Sequence, residues 1–195
     1  MTSLQREANR RFGWSARRTL SAAQRCYEGH KLLTYPRTDS KALPEDYRDI
    51  VDETLESLKG DARFKPHAER LQKNGRQNEK RTNDDSKISD HFAIIPTGEL
   101  PKDSLGGDDA RLYELVTRRF LATFHPAAIW SRVDRVSEVD GEHFRSRDRV
   151  LQEPGWRAVR GDAAGAEGKL PNLIPGQDTA DGVDVKGESY EVEAD

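Results

Sequence analysis

The sequence has little with which to cross-link itself and no stretch suited to a membrane. One cysteine, Cys26, in 195 residues excludes an internal disulfide and a cysteine-based zinc site, and leaves it the role of a small buried side chain on a helix. No apolar run approaches the roughly 20 residues that a bilayer span requires, and the opening residues lack the apolar core of a signal peptide. The chain therefore reads as soluble and cytoplasmic, without a membrane partner. Hydrophobic residues reach only 34% and charged residues also 34%, so a surface-rich molecule with one fair-sized domain or two small ones is expected.

What charge there is lies unevenly. Residues 1–41 hold nine Lys/Arg against three Asp/Glu, whereas residues 151–195 hold four against ten, an asymmetry hidden by the net charge of -3. A nucleic-acid partner would meet the N-terminal part.

That part is helical in pattern. Thr2 or Ser3 can cap a first helix that runs to about Phe12, with Leu4, Ala8 and Phe12 on one stripe and Gly13 as its stop. A chain that opens inside a helix cap is expected to be a piece of something larger. Ser15 caps a second helix ending at Gly29, with Ala16, Leu20, Ala23 and Tyr27 on one side and Arg18 and Arg25 almost opposite. The two arginines would then be placed to hold a nucleic-acid backbone. Two short helices around a glycine are also the outline of a helix-turn-helix.

The chain's organising stretch is Tyr35-Pro36-Arg37-Thr38-Asp39-Ser40, preceded by the apolar Lys31-Leu32-Leu33-Thr34. Pro36 pushes Tyr35 out of the helical region, so the tyrosine ends an extended segment and is presented at a turn. Along an extended chain Arg37 projects to the same side as the phenol, where one phosphate can touch both. A plain turn with a half-buried tyrosine and a solvated arginine fits the hexapeptide equally well.

Further along, Leu43-Pro44 opens a third helix whose stripe is Tyr47, Ile50, Val51, Leu55 and Leu58, ending near Gly60. Residues 61–87 are so polar that a mobile loop is expected. Ile88 to Thr97 is pinned by closely spaced apolar residues, which hold His91 in place. A fourth helix spans Asp108 to Phe124 with Leu112, Leu115, Val116 and Phe120 inward, and His125-Pro126 stops it. Beyond it, Ile129–Val139, the Asp140-Gly141 turn and Phe144–Val150 predict a hairpin. Short strands at Trp156–Val159, Val183–Val185 and Ser189–Val192 follow, with a small-residue loop over 161–168. The fold class is α+β, with helices in 1–126 and β-structure in 127–195.

Two segments in succession, Leu33-Thr34-Tyr35-Pro36-Arg37-Thr38-Asp39-Ser40 and Ser89-Asp90-His91-Phe92-Ala93-Ile94-Ile95-Pro96-Thr97, resemble the tyrosine and histidine motifs of the type IA DNA topoisomerases, most nearly the bacterial topoisomerase III group. The helices before Tyr35 and the later Gly155-Trp156 are similar to the same family. The resemblance implies that Tyr35 is the nucleophile that becomes joined to a 5′ phosphate of one DNA strand. It implies that Arg37 neutralises that phosphate, that His91 hydrogen-bonds DNA near the break, and that Thr38 and Asp39 support the turn. Residues 1–126 would be the movable gate domain and 127–195 a segment of the arch. DNA, preferentially single-stranded, and the rest of the parent enzyme would be the partners, near the nucleoid.

The chemistry is consistent with that assignment. A phenol of pKa near 10 is protonated at neutral pH and needs an electrophilic phosphate, which Arg37 helps to supply. A phosphotyrosine ester keeps the energy of the broken bond, so resealing needs no ATP. In the family a Toprim domain ahead of these motifs provides a general acid and the Mg2+ carboxylates. No Asp-x-Asp-x-Asp cluster is present here, Asp84-Asp85 and Asp181-x-x-Asp184 being the nearest pairs, so Mg2+ is expected on that missing domain and not on this chain. Phe92 stands where the family often has a second histidine. A non-catalytic helix-turn-helix module and a tyrosine recombinase or type IB enzyme are the alternatives, the latter carrying its tyrosine late in the chain.

Overall fold

The computed structural model describes residues 1–102, 105–161 and 184–192, the last of these and residues 138–139 by backbone alone. It divides into two compact units, Met1–His125 and Pro126–Asp195. Seven α-helices and a three-stranded antiparallel sheet make up the regular structure of the described residues, an α+β fold. No helix among them is long and apolar enough to cross a membrane.

In the first unit, α1 (Thr2–Phe12) ends on Gly13, whose left-handed φ of 68° lets its N–H reach the Asn9 carbonyl. Neither Thr2 nor Ser3 caps it: the N-cap position is Met1, with no side-chain cap. Ser15 does cap α2 (Ala16–Gln24), its hydroxyl accepting from the Arg18 N–H at 3.2 Å. The buried face of α2 is Thr19, Ala22, Ala23 and, one turn on, Cys26, while Ala16 is exposed. That stripe lies roughly a quarter turn from the expected one. Small side chains let α6 (Gly107–Thr123) pack closely there. The central α6 buries Leu112, Tyr113, Leu115, Val116, Thr117, Phe120 and Leu121. Burial pushes the Cys26 thiol up to about 12, so it packs as a neutral side chain.

The α1–α6 contact carries a buried carboxylate. Glu7, 7% exposed, accepts from Arg11 at 3.0 Å and from Arg119 at 2.9 Å. Two guanidinium groups satisfy the charge that burial would otherwise penalise.

The region 61–87 is structured, contrary to the mobile loop expected of it. Phe64, Ala68 and Leu71 anchor α4 (Lys65–Asn74) against α3 (Arg48–Leu58), and α5 (Glu79–Thr82) follows. Arg76 ties the segment down by bonding Asp52 at 2.7 Å and the Arg48 carbonyl at 3.0 Å, and it also pairs with Glu79. Three well-spaced apolar anchors suffice for a short helix even when most of its residues are charged. On α3, Val51, Leu55 and Leu58 are buried as expected, but Ile50 is 40% exposed.

In the second unit, β1 (Ala128–Val139) and β2 (Glu142–Glu153) form the expected hairpin around Asp140 and Gly141, whose φ values of 53° and 80° suit a tight turn of the Asp-Gly kind. β3 (Asp184–Val192) pairs with β1 as one strand where two short ones were expected, giving the order β2-β1-β3. Val183, Asp181 and residues 162–168 lie outside the described residues. Trp156–Val159 is not a strand but part of a short helix, α7 (Trp156–Arg160). Gly155 causes the change: at φ 49°, ψ -130° it turns the chain sharply and sends the Trp156 N–H to the Pro126 carbonyl at 3.0 Å. A Cβ at Gly155 would stand 2.5 Å from the Pro126 carbonyl oxygen and closer still to that of Ala127.

Two outcomes follow from these contacts. Gly155→Ala should destabilise the second unit by roughly 2 kcal/mol or more, read as a lowered unfolding midpoint in urea. His125 is 1% exposed, its Nδ1 lies 2.8 Å from the Leu121 carbonyl, and burial lowers its pKa to about 4. The unfolded chain takes a proton there near pH 6.5, so this stability is complete above about 6.5 and is lost as pH falls toward 4. The loss should be roughly 2–3 kcal/mol in thermal melts, and His125→Gln should flatten that part of the profile.

Candidate active site

Two extended segments remote in sequence are stitched side by side, and the tyrosine turn hangs from the seam. Leu33 bridges Pro96 in antiparallel fashion, the Thr34 N–H donates to the Ile95 carbonyl at 3.0 Å, and the Thr97 N–H donates to Leu32 at 3.1 Å. Pro36 and Pro96 have no N–H to extend a ladder, and threonine and serine hydroxyls take over. Thr34 Oγ1 donates to the Ala93 carbonyl at 3.1 Å and accepts from the Ile95 N–H at 2.9 Å. Thr38 Oγ1 donates to the His91 carbonyl at 2.8 Å and accepts from the Ser40 N–H at 3.0 Å. Ser40 Oγ reaches the Lys87 carbonyl at 2.9 Å.

The stitching brings His91 onto Tyr35. Their ring centroids lie 4.3 Å apart at an interplanar angle of 44°. On another side the Tyr27 ring meets Tyr35 edge-on, at 5.5 Å and 82°. Tyr27 comes from a single π-helical turn, Arg25–Gly29, that ends α2 just before the tyrosine strand. Lys31 exits that turn at φ 59°, with its ammonium 5.8 Å from the Tyr27 ring centroid. Sequence reasoning placed Tyr27 on a packing face and passed over Lys31. The widened turn that aims them has no simple sequence signature.

Tyr35 is half-buried, and its hydroxyl has no hydrogen-bond partner among the described residues. Arg37 is exposed and likewise unpaired there, Asp39 is exposed, and Thr38 is buried within the stitching. Arg18 and Arg25 differ from expectation. The Arg18 fork grips Asp108 at 2.7 and 2.8 Å, and the Arg25 fork grips Asp109 at 2.7 and 3.0 Å, with His30 Nε2 at 3.3 Å from the same carboxylate. The hydrogen bonds from Arg18 hold the Asp108 carboxyl below its usual range. Both forks border the α2–α6 interface instead of facing away from it, and each guanidinium side chain is still more than half exposed.

No group of three His, Cys, Asp or Glu side chains able to hold a metal occurs among the described residues. Among the described residues, the segment offers a phenol whose ring is held and whose hydroxyl has no hydrogen-bond partner, an imidazole against that ring, and, two positions on in the chain, a guanidinium without a carboxylate.

A family model described as "DNA topoisomerase" matches residues 1–194. The chain is similar to DNA topoisomerase 3 of Bacillus subtilis (strain 168), 42% identical over 163 residues that cover 82% of this chain and 22% of that protein. It is also similar to DNA topoisomerase 3 of Shouchella clausii (strain KSM-K16), 40% identical over 189 residues, 95% of this chain and 25% of that protein. The chain thus spans about a quarter of the length of these relatives. With the match running from one end of the chain to the other, through both the tyrosine turn and the histidine segment, the chain belongs to the type IA DNA topoisomerase family and resembles topoisomerase III.

Proposed function

We propose that this chain is the tyrosine-bearing part of an enzyme that changes DNA topology by cutting and rejoining one strand. Residues 1–126 act as the gate and 127–195 as part of the arch. The observation that carries the reading is the Tyr35 ring held against His91 and Tyr27, with no hydrogen-bond partner at its hydroxyl among the described residues. A nucleophile needs this combination of a fixed ring and an open oxygen.

In the proposed step Tyr35 Oη bonds to a backbone phosphorus as the bond to the 3′ oxygen breaks. The phenol gives up a proton and the departing 3′ oxygen gains one, so the exchange is balanced and reversible without ATP. Arg37, with no carboxylate to neutralise it, offsets the charge gathering on the phosphate. His91, held through its own carbonyl by Thr38, contacts the strand beside the break. Arg18 and Arg25, paired with Asp108 and Asp109 but more than half exposed, add a weaker contact to the DNA. The partner is single-stranded DNA on the chromosome, in the cytoplasm. The proton donor for the 3′ oxygen and the Mg2+ carboxylates come from a Toprim domain within the remaining length of the parent enzyme.

The helix-turn-helix alternative loses support from the same interface. The arginines it would use are filled by carboxylates of α6.

Supplying the missing portion in cis should yield a covalent protein–DNA adduct whose digestion leaves a 5′-phosphotyrosine. Tyr35→Phe should abolish the adduct and Arg37→Ala should slow its formation about 10²–10³-fold. An adduct that survives Tyr35→Phe, or a 3′ linkage, overturns the reading. The chain by itself should leave supercoiled DNA unrelaxed with or without Mg2+, and relaxation by the purified chain would show that the chemistry is complete within it.

A further inference from the structure

We infer that one face of the β1–β2 hairpin is a second contact for a single-stranded nucleic-acid backbone, separate from the tyrosine cluster. The inference rests on the proposed function only for the identity of the polyanion as DNA.

The register makes the face. Trp130, Arg132, Asp134 and Val136 of β1 stand opposite Leu151, Arg149, Arg147 and Arg145 of β2. Directly paired residues share a face, so four guanidinium groups of the hairpin meet one hairpin carboxylate, Asp134. The register on the other side of β1 adds Glu188 opposite Arg132, Lys186 opposite Asp134 and Asp184 opposite Val136, which leaves the face positive by count. Asp134 is shared among Arg132 at 3.0 Å, Arg145 at 3.3 Å and Arg147 at 3.0 Å. One negative charge cannot neutralise three positive ones. Arg149 has no carboxylate partner among the described residues and lies instead over the Trp130 ring, 4.6 Å from its centroid.

Two further features point to a polyanion. Arg132 stands between Arg149 of β2 and Glu188 of β3, so the acidic neighbour lies toward β3, and β2 presents Arg145, Arg147 and Arg149 with no carboxylate of its own between them on this face. Arg145, Arg147 and Arg149 are exposed on β2, an outer strand of the sheet. Alternate residues of a strand are about 6.5 Å apart, so the three form a row commensurate with successive phosphates of a stretched single strand.

The test uses the full chain and a fluorescent oligothymidylate, followed by anisotropy over a salt series. Replacing Arg145, Arg147 and Arg149 together by serine should weaken binding at least 10-fold and lower the slope of log affinity against log salt by about 2. The corresponding triple lysine variant should keep the slope. Serine at Lys65, Arg70 and Lys73, which are exposed on α4, removes the same charge and should change affinity less than twofold. In the unaltered chain, the oligonucleotide should protect the three hairpin arginines from phenylglyoxal, a measurement independent of whether the serine variant folds. Absence of protection, an unchanged slope, failure of the unaltered chain to bind at low salt, or protection by polyglutamate but not by oligothymidylate would each overturn the inference. A serine variant that binds normally but self-associates would mark the arginines as guards of a sheet edge, and would overturn it too. The reading of Tyr35 is judged separately, by the covalent adduct.

Discussion

Thr34 holds the site together. Its backbone N–H, its hydroxyl proton and its hydroxyl lone pair each make a hydrogen bond to the 93–95 segment, about sixty residues away in the chain. Regular strand pairing is unavailable because a proline sits in each segment, at Pro36 and Pro96. Without the hydroxyl bonds the two segments would share only an isolated bridge and a few backbone contacts. Thr38 repeats the device one turn closer to the chemistry and sets where His91 stands relative to Tyr35. The prolines free the turn from the ladder, and the threonines keep that freedom from becoming disorder.

This division of labour explains what could be read from the sequence. The tyrosine turn, the Ser15 cap, the Gly13 stop and the Asp-Gly hairpin all follow from local chemistry that a few neighbouring residues determine. Where the outcome depended on distant partners, pattern failed. The helix over Lys65–Asn74 is polar enough to read as a loop, and its stability comes from Phe64, Ala68 and Leu71 finding α3. Trp156–Val159 has the composition of a strand, and Gly155, forced close to the carbonyls of Pro126 and Ala127, turns it into a helix. Of the α2 arginines, sequence could tell that they were basic but not that Asp108 and Asp109 stood waiting for them.

The arginines show why local charge totals are a poor map of binding. Arg18 and Arg25 contribute to the positive N-terminal part, yet each is neutralised by an aspartate more than eighty residues away. Arg37 belongs to the same positive stretch and has no such partner among the described residues. In the C-terminal unit three hairpin arginines share Asp134, and β2 sets Arg145, Arg147 and Arg149 in a row with no carboxylate between them on that face, although the sequence beyond residue 150 is acidic. Neutralisation by the fold, rather than count, decides which cations remain for a ligand.

A nucleophile that must also serve as a leaving group is built under two opposing demands. A tyrosine buried and hydrogen-bonded at its oxygen would be rigid but unreactive, and one free on the surface would be reactive but unplaced. Here the constraint falls on the ring, through Tyr27 and His91, while the oxygen is left unpaired. Edge and face contacts with aromatic rings restrict orientation without consuming the lone pairs of the phenol oxygen. A cluster of this kind can position an attack, and among the described residues no carboxylate group able to organise a metal accompanies it. Under the proposed function the carboxylates belong to another part of the parent enzyme, so cutting would need both parts on the DNA and the phenol would keep the broken end tethered when they part.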